Sequence, residues 1–203
     1  MTILQIEKKI DKIIIIINEA KFLMNDSYKM LMTDTSAKHV IINRNKFLTR
    51  VRESFWKLAV IELAKIYGSK NDKFRLEHFL NTLIENHKKG EYKLLISKKE
   101  LNSLLSFLQK EDVLEKVEKL KEVRDKHYAH TDENAKSLHE IKFYFTDFVF
   151  LLRTAELIIE SINNKLFNKQ RSFKSYFGDE ADEFLNLFIE NTEACLINKI
   201  TKR

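Results

Sequence analysis

The sequence contains no proline, only three glycines and a single cysteine among its 203 residues. Turns draw on glycine and proline for their backbone angles, so a chain this poor in both does not favour the many strands of a β-sandwich or a parallel α/β sheet. The lone Cys195 can form neither an internal disulfide nor a thiolate metal site, and we interpret it as a structural thiol. We therefore predict an all-α fold and a reducing, cytoplasmic location.

Long apolar runs and the motifs of several enzyme classes are missing too. No purely apolar run is longer than that of residues 13–17, which is far shorter than the roughly 20 residues needed to cross a bilayer, so no membrane partner is expected. Without a glycine-rich loop the chain cannot carry a Walker A or dinucleotide-binding motif. Neither Glu-x-x-His nor His-Glu-x-x-His occurs, so no metal and no other cofactor is expected.

Apolar residues recur at spacings of three and four along almost the whole chain, which predicts amphipathic helices. We expect these helices at about residues 3–31, 36–67 and 73–88, from about 98, from about 111, at about 137–168 and from about 179. Ser97 with Glu100, and Ser137 with Glu140, predict capping boxes at two helix starts. The glycines fall where the periodic segments stop, as expected of helix C-caps. No repeat or long linker divides the chain, so we predict a single domain, residues 1–203, folded as an up-and-down helical bundle with extra flanking helices.

Most apolar and aromatic residues are expected to form the core. The predicted buried stripe of the second helix comprises Val40, Phe47, Val51, Phe55, Leu58, Ile61 and Ile66. An aromatic cluster follows later in the chain and is expected to serve as core and dimer seam: Phe143, Tyr144, Phe145, Phe148 and Phe150. Four scattered histidines are expected at the surface rather than as ligands: His39, His78, His87 and His139.

The densest cluster of chemically active side chains is the heptapeptide Arg-Asp-Lys-His-Tyr-Ala-His, residues 124–130, at the end of the predicted fifth helix. At about 100° per residue, Arg124, His127 and His130 share one helix face, so two imidazoles and a guanidinium can point at one phosphate. A histidine with a pKa of about 6.5 exchanges a proton at neutral pH without a metal. A guanidinium donates paired hydrogen bonds to phosphate oxygens and stabilises charge that builds on them. A net charge of +6 is compatible with such a partner.

The same cluster also has a purely structural interpretation. Cations and histidines are favoured in the last turn of any helix, where they complement the negative end of the dipole. An arginine followed by a histidine, with four to six residues between them, is expected by chance roughly 0.7 times in a chain of this composition. The spacing alone therefore does not separate a site from an ordinary helix end.

In its context, the cluster resembles the signature of the HEPN superfamily, and in particular of the branch associated with bacterial abortive-infection systems. That signature is an arginine, usually followed by a polar residue, with a histidine a few positions later. Here Arg124 is followed by Asp125, and His130 closes an Arg-Asp-x(4)-His motif. Ala129 and Asp132 also resemble that branch, and the aromatic stretch at residues 55–59 lies in an upstream helix where relatives have similar stretches.

The resemblance implies an endoribonuclease that needs no metal and acts in phage defence or as a toxin. Its 2′-hydroxyl attack on the adjacent phosphate leaves a 2′,3′-cyclic phosphate and a 5′-hydroxyl. By this resemblance, Arg124 is expected to bind the scissile phosphate and His130 to transfer protons. Asp125 is expected to hold Arg124 or His130 of the partner subunit. Lys126 and His127 have no fixed catalytic role and are candidate RNA contacts. Two copies of the chain are expected to build one composite site at a homodimer interface.

Two other classes of function remain open. One is a HEPN-fold module that binds RNA or regulates a defence complex without cleaving anything. The other is a structural helical bundle with a fortuitous motif. No nucleotidyltransferase signature accompanies the helices. If the protein is a toxin, its antitoxin is therefore expected to be encoded elsewhere or to act by modifying it, and a defence-complex partner is the other candidate.

Overall fold

The computed structural model describes residues 1–32, 36–68, 72–125 and 141–168, together with residues 173 and 186. Across these ranges the chain forms seven α-helices, one short 3₁₀ helix at Glu91–Leu94, and no strand, which confirms the predicted all-α fold class. The α-helices are α1 (Ile3–Leu31), α2 (Ser36–Arg44), α3 (Lys46–Tyr67), α4 (Leu76–Glu85), α5 (Lys98–Leu108), α6 (Glu111–Val123) and α7 (Phe145–Phe167). Not one of these described helices has the length and apolarity of a membrane span.

The chain is divided into two compact units. The larger comprises Met1–Lys21 and Ala59–Lys174, and the smaller comprises Phe22–Leu58 and Ser175–Arg203. Helices α1 and α3 each contribute residues to both units. One domain over residues 1–203 stays a prediction.

The predicted second helix is wrong in one respect, because residues 36–67 form two helices rather than one. The side-chain oxygen of Asn45 accepts hydrogen bonds from the backbone N–H groups of Phe47 (3.0 Å) and Leu48 (3.3 Å), so Asn45 caps the start of α3. Asparagine competes with the helical backbone in this way and favours caps over helix interiors. Apolar residues recur at helical spacing on both sides of Asn45, so the periodic pattern alone predicts one continuous helix.

The break also changes which side chains of this segment are buried. In the smaller unit, the core cluster consists of Met30, Ile42 and Leu48, with Ile41, Val51 and Phe55 packed against it. Phe47, predicted to be buried, is 66% exposed, and Val40 and Leu58 are exposed as well. A single stripe cannot run through two helices that meet at a cap, because the turn between them shifts the angular register.

The predicted third helix, residues 73–88, is shorter than expected and ends at Glu85. Beyond it, His87 Nε2 lies 2.8 Å from the carbonyl oxygen of Ile96, and the buried hydroxyl of Tyr92 donates to the carbonyl of Leu83 (2.8 Å). These contacts tie the connection to the following segment through side chains rather than through further helix. Gly90 is required by close approach, since a Cβ there would overlap the ring of Tyr92.

Gly68 lies at a helix end, as predicted, but neither Gly68 nor Gly90 has the positive φ that is common for a glycine C-cap. The left-handed position at the end of α7 belongs to Asn168 instead, with φ 47°. Asparagine tolerates this conformation because its short polar side chain bonds locally. Gly68 follows α3 directly and, like Gly90, is required by a close approach that is described with the site below.

The starts of α5 and α6 agree with the sequence. Ser97 and Glu100 form the predicted capping box: the Ser97 hydroxyl accepts from the Glu100 N–H (3.2 Å), and the Glu100 carboxylate accepts from the Ser97 N–H (2.8 Å). α5 packs against α4, and α6 packs against α7. Lys165 of α7 also pairs with Glu100 at 2.8 Å.

The long aromatic helix begins later than predicted, at Phe145 instead of residue 137. Lys142 has φ 52°, which a right-handed helix cannot contain, and Asp147 accepts a hydrogen bond from the Tyr144 N–H (3.0 Å) where α7 starts. Within the aromatic cluster Phe148 is fully buried, whereas Tyr144 is 60% exposed, so the core assignment holds for only part of it. The capping box predicted at residues 137–140 and the last predicted helix lie outside the described residues.

Candidate functional site

Helix α6 brings the first two residues of the motif to the surface of the larger unit. Its apolar stripe is buried through Val123, which fixes the helix against α7 and directs the next residue outward. Arg124 and Asp125 continue with π-helical backbone, and the Arg124 N–H is shared between the carbonyls of Leu120 and Lys121. Arg124 therefore lies at the end of α6, where its backbone still has right-handed helical angles.

Arg124 and Asp125 form a charged hydrogen bond with each other. Arg124 Nε donates to Asp125 Oδ1 at 2.6 Å, a short charge-assisted bond. The Arg124 side chain is 21% exposed and that of Asp125 52% exposed. The hydrogen bond to Asp125 raises the pKa of Arg124, and attraction to Asp125 and Asp72 adds to it, while partial burial acts in the opposite direction. The guanidinium is therefore firmly cationic.

A second carboxylate, which the sequence analysis missed, reaches Arg124 from a distant part of the chain. Asp72 precedes α4, and its Oδ2 lies 3.8 Å from Arg124 Nη1. Room for this carboxylate depends on Gly68, because a Cβ there would overlap Asp72 and would lie 2.6 Å from the carbonyl oxygen of Ala64. The only signal in the sequence was a glycine at a helix end, which was interpreted as a cap.

The geometry allows Asp125 to hold the Arg124 guanidinium while other N–H groups of the same guanidinium bind an anion. Within the described residues only the Nε–H of Arg124 makes a hydrogen bond, and Asp72 is at ion-pair distance. The N–H groups on Nη1 and Nη2 can therefore donate in parallel to two oxygens of a phosphate. Two negative charges face this one positive charge, so the described part of the site does not itself attract a polyanion strongly.

The remaining site residues predicted from the motif are not described. Lys126, His127 and His130 all lie outside the described residues. Of the histidines expected at the surface, His78 is exposed as predicted, and His87 is half-buried at its contact with Ile96. Within the described residues, no three or more His, Cys, Asp or Glu side chains lie together in a group that could hold a metal.

Fold and site together define an all-α protein with an arginine–aspartate pair at the end of a buried amphipathic helix. A family model described as HEPN_AbiU2: AbiU2 matches residues 14–187. The chain belongs to this family, the abortive-infection branch of the HEPN superfamily, which confirms the resemblance seen in the motif. No curated protein and no solved structure shows significant similarity to it.

Proposed function

We propose that this protein is an endoribonuclease of the phage-defence or toxin type that cleaves RNA without a metal ion. The observation that carries the proposal is the geometry of Arg124. Asp125 holds its guanidinium through Nε, and its Nη groups make no hydrogen bond within the described residues, so they can donate to a phosphate. This is the residue that the family signature places on the scissile phosphate. Asp72 and Asp125 act as positioning residues in this proposal.

The reaction follows from the chemistry of RNA. The 2′-hydroxyl oxygen forms a bond to the adjacent phosphorus as the bond to the 5′-oxygen of the next nucleotide breaks, which leaves a 2′,3′-cyclic phosphate and a 5′-hydroxyl. His130 takes the proton from the 2′-hydroxyl or gives one to the departing oxygen. Arg124 stabilises the additional negative charge on the phosphorane-like transition state.

Incubation of the purified protein with total cellular RNA in EDTA tests the proposal. We expect fragments with cyclic phosphate ends, and loss of cleavage in Arg124→Ala and His130→Ala. Matched controls are Arg50→Ala and His78→Ala, which remove an exposed arginine and an exposed histidine outside the site. No cleavage by a folded wild-type protein, or equal losses in the controls, contradicts the proposal. RNA binding without cleavage favours the non-catalytic module instead.

The composite site is part of the proposal and has its own test. If each site takes Arg124 from one copy and His130 from another, mixing the two inactive variants places one intact pair in the heterodimer. We expect activity to return on mixing. A monomer in sedimentation, or a mixture that stays inactive although it exchanges subunits, contradicts a site shared between copies.

A further inference from the structure

The outer face of α5 carries three lysines, and none of them pairs with a carboxylate among the described residues. An open groove of about 730 Å³ is lined there by Lys98, Lys99, Asn102, Ser103, Ser106 and Lys110, together with the half-buried Phe107. These residues, here called the α5 face, repeat at spacings of three and four and so lie on one side of the helix. The opposite side carries Leu101 and Leu108, which are buried.

No described carboxylate lies in this groove or pairs with its three lysines. Glu100, on the same helix, caps the helix start with Ser97 and pairs with Lys165 at 2.8 Å, so its charge is already neutralised. The other polar groups of the α5 face are the Asn102 amide and the hydroxyls of Ser103 and Ser106. Ser103 Oγ donates to the carbonyl of Lys99 at 3.0 Å, so the amide and the Ser106 hydroxyl are the groups that can donate to phosphate and sugar oxygens. Lys110 Nζ also lies 5.0 Å from the centre of the Phe107 ring, beside an aromatic edge that a base can contact.

We infer that the α5 face binds the phosphate backbone of single-stranded RNA and anchors the substrate away from the Arg124 site. The inference rests on the proposed function for the identity of the anion. At the Arg124 site two carboxylates face one guanidinium. A substrate that is a polyanion therefore needs cationic surface elsewhere, and counterion release from lysines provides that affinity independently of sequence.

Helix α6 links the two surfaces and sets their separation. Lys110 immediately precedes α6 and Arg124 immediately follows it. The fourteen steps from Lys110 to Arg124 rise about 21 Å along the helix axis at about 1.5 Å per residue. One RNA strand of several nucleotides can span this distance, whereas a dinucleotide cannot.

Binding is measured by fluorescence anisotropy with a single-stranded 2′-O-methyl oligoribonucleotide, which has no free 2′-hydroxyl to attack and is long enough to span both surfaces. The test variant is Lys99→Glu/Lys110→Glu. The matched control is Lys8→Glu/Lys12→Glu, two exposed lysines of α1 with the same change in net charge. We expect the test variant to bind about tenfold more weakly, the control to change less than about threefold, and the salt slope to fall by about 1.4 for two lost phosphate contacts.

Equal weakening in the test and control variants overturns the inference, because it attributes binding to net charge alone. Loss of binding to vesicles rich in phosphatidylserine, with RNA binding unchanged, also overturns it and assigns the face to a membrane surface. Lys99→Gln/Lys110→Gln serves as a second variant, with an intermediate loss expected, and far-UV circular dichroism checks that each variant is folded.

Cleavage provides a separate readout. On a long RNA the test variant is expected to raise KM about tenfold with kcat unchanged, and on a dinucleotide it is expected to have no effect. If the wild-type protein cleaves nothing, the proposed function fails while the binding measurement still decides the role of the α5 face. A loss on the dinucleotide equal to that on long RNA overturns the inference.

Discussion

Gly68→Ala is expected to destabilise the protein, although glycine-to-alanine substitutions near a helix often stabilise. The added Cβ would overlap the Asp72 carboxylate and lie 2.6 Å from the backbone carbonyl of Ala64, which cannot move cheaply. Overpacking of this kind costs about 1–3 kcal/mol. The reduced freedom of the unfolded chain offsets about 0.4–1 kcal/mol of that cost. We therefore expect a net loss of about 1–2 kcal/mol in the free energy of unfolding.

The measurement is urea denaturation of wild type and variant, followed by far-UV circular dichroism at neutral pH, with thermal melts in parallel. For a chain of this length the loss corresponds to a melting temperature lowered by about 2–8 °C. Asp72→Ala serves as the partner variant, because it removes the carboxylate that the new methyl group meets. The double variant is expected to be more stable than the sum of the two single changes implies, since part of the overlap is gone.

A neutral or stabilising effect of Gly68→Ala would refute the reasoning, because it would mean that Asp72 does not occupy the space next to residue 68. Strict additivity in the double variant would refute it as well. The same substitution also tests the site. Displacement of Asp72 removes one of the two carboxylates that hold Arg124, so cleavage by Gly68→Ala and by Asp72→Ala should fall by similar factors.

Three further predictions concern stability. Tyr67→Phe is expected to cost about 1 kcal/mol in urea denaturation, because the buried Tyr67 hydroxyl donates to the Leu151 carbonyl at 2.6 Å, and that carbonyl, within α7, keeps its helical partner; a loss above about 3 kcal/mol would contradict this. Ser97→Ala is expected to cost about 1 kcal/mol by removing the acceptor at the start of α5, with Ser97→Thr close to wild type in the same assay. The hydrogen bond from Lys165, followed by those from Ser97, lowers the pKa of Glu100 from 4.5 to about 2. The contribution of the Glu100 carboxylate to the free energy of unfolding is therefore complete above about pH 4.5 and is lost as the pH falls towards 2. The stability difference between wild type and Glu100→Gln should shrink over that pH range in acid titrations.

Features set by residues close in sequence, such as helix caps and buried helix faces, could be predicted from the sequence. The capping box at Ser97 depends on two residues three positions apart, and its hydrogen bonds form as predicted. In α1, Ile6, Ile10, Ile13 and Ile17 recur at spacings of three and four, and all four are fully buried. The break at Asn45 was missed because apolar periodicity continues on both sides of the cap and outweighed a single side chain that bonds the backbone.

The site was predictable only where it is contiguous in sequence. Arg124 and Asp125 are neighbours in the chain, and the motif identified them together. Asp72 lies more than fifty positions away and reaches Arg124 only because the end of α3, from Ala59, belongs to the same unit as α4 and α6. A short motif and a helical period relate only residues that are close in sequence, so neither predicts that Asp72 contacts Arg124. Gly68 could also be interpreted as a helix cap until the structure showed the Asp72 carboxylate beside it.

The charges around Arg124 and on the α5 face suggest how the two surfaces divide the work if both proposals hold. A phosphodiester carries one negative charge, and the phosphorane-like transition state carries more, so hydrogen bonds from the Nη groups of Arg124 to the phosphate oxygens strengthen as charge develops on them. Removing Arg124 should then lower kcat with little change in KM. The lysines of the α5 face contact phosphates that do not react and bind substrate and transition state equally, so their removal should raise KM and leave kcat unchanged. Opposite signatures in the two variants would support separate chemical and anchoring surfaces, whereas a common loss of kcat would place both sets of residues in one site.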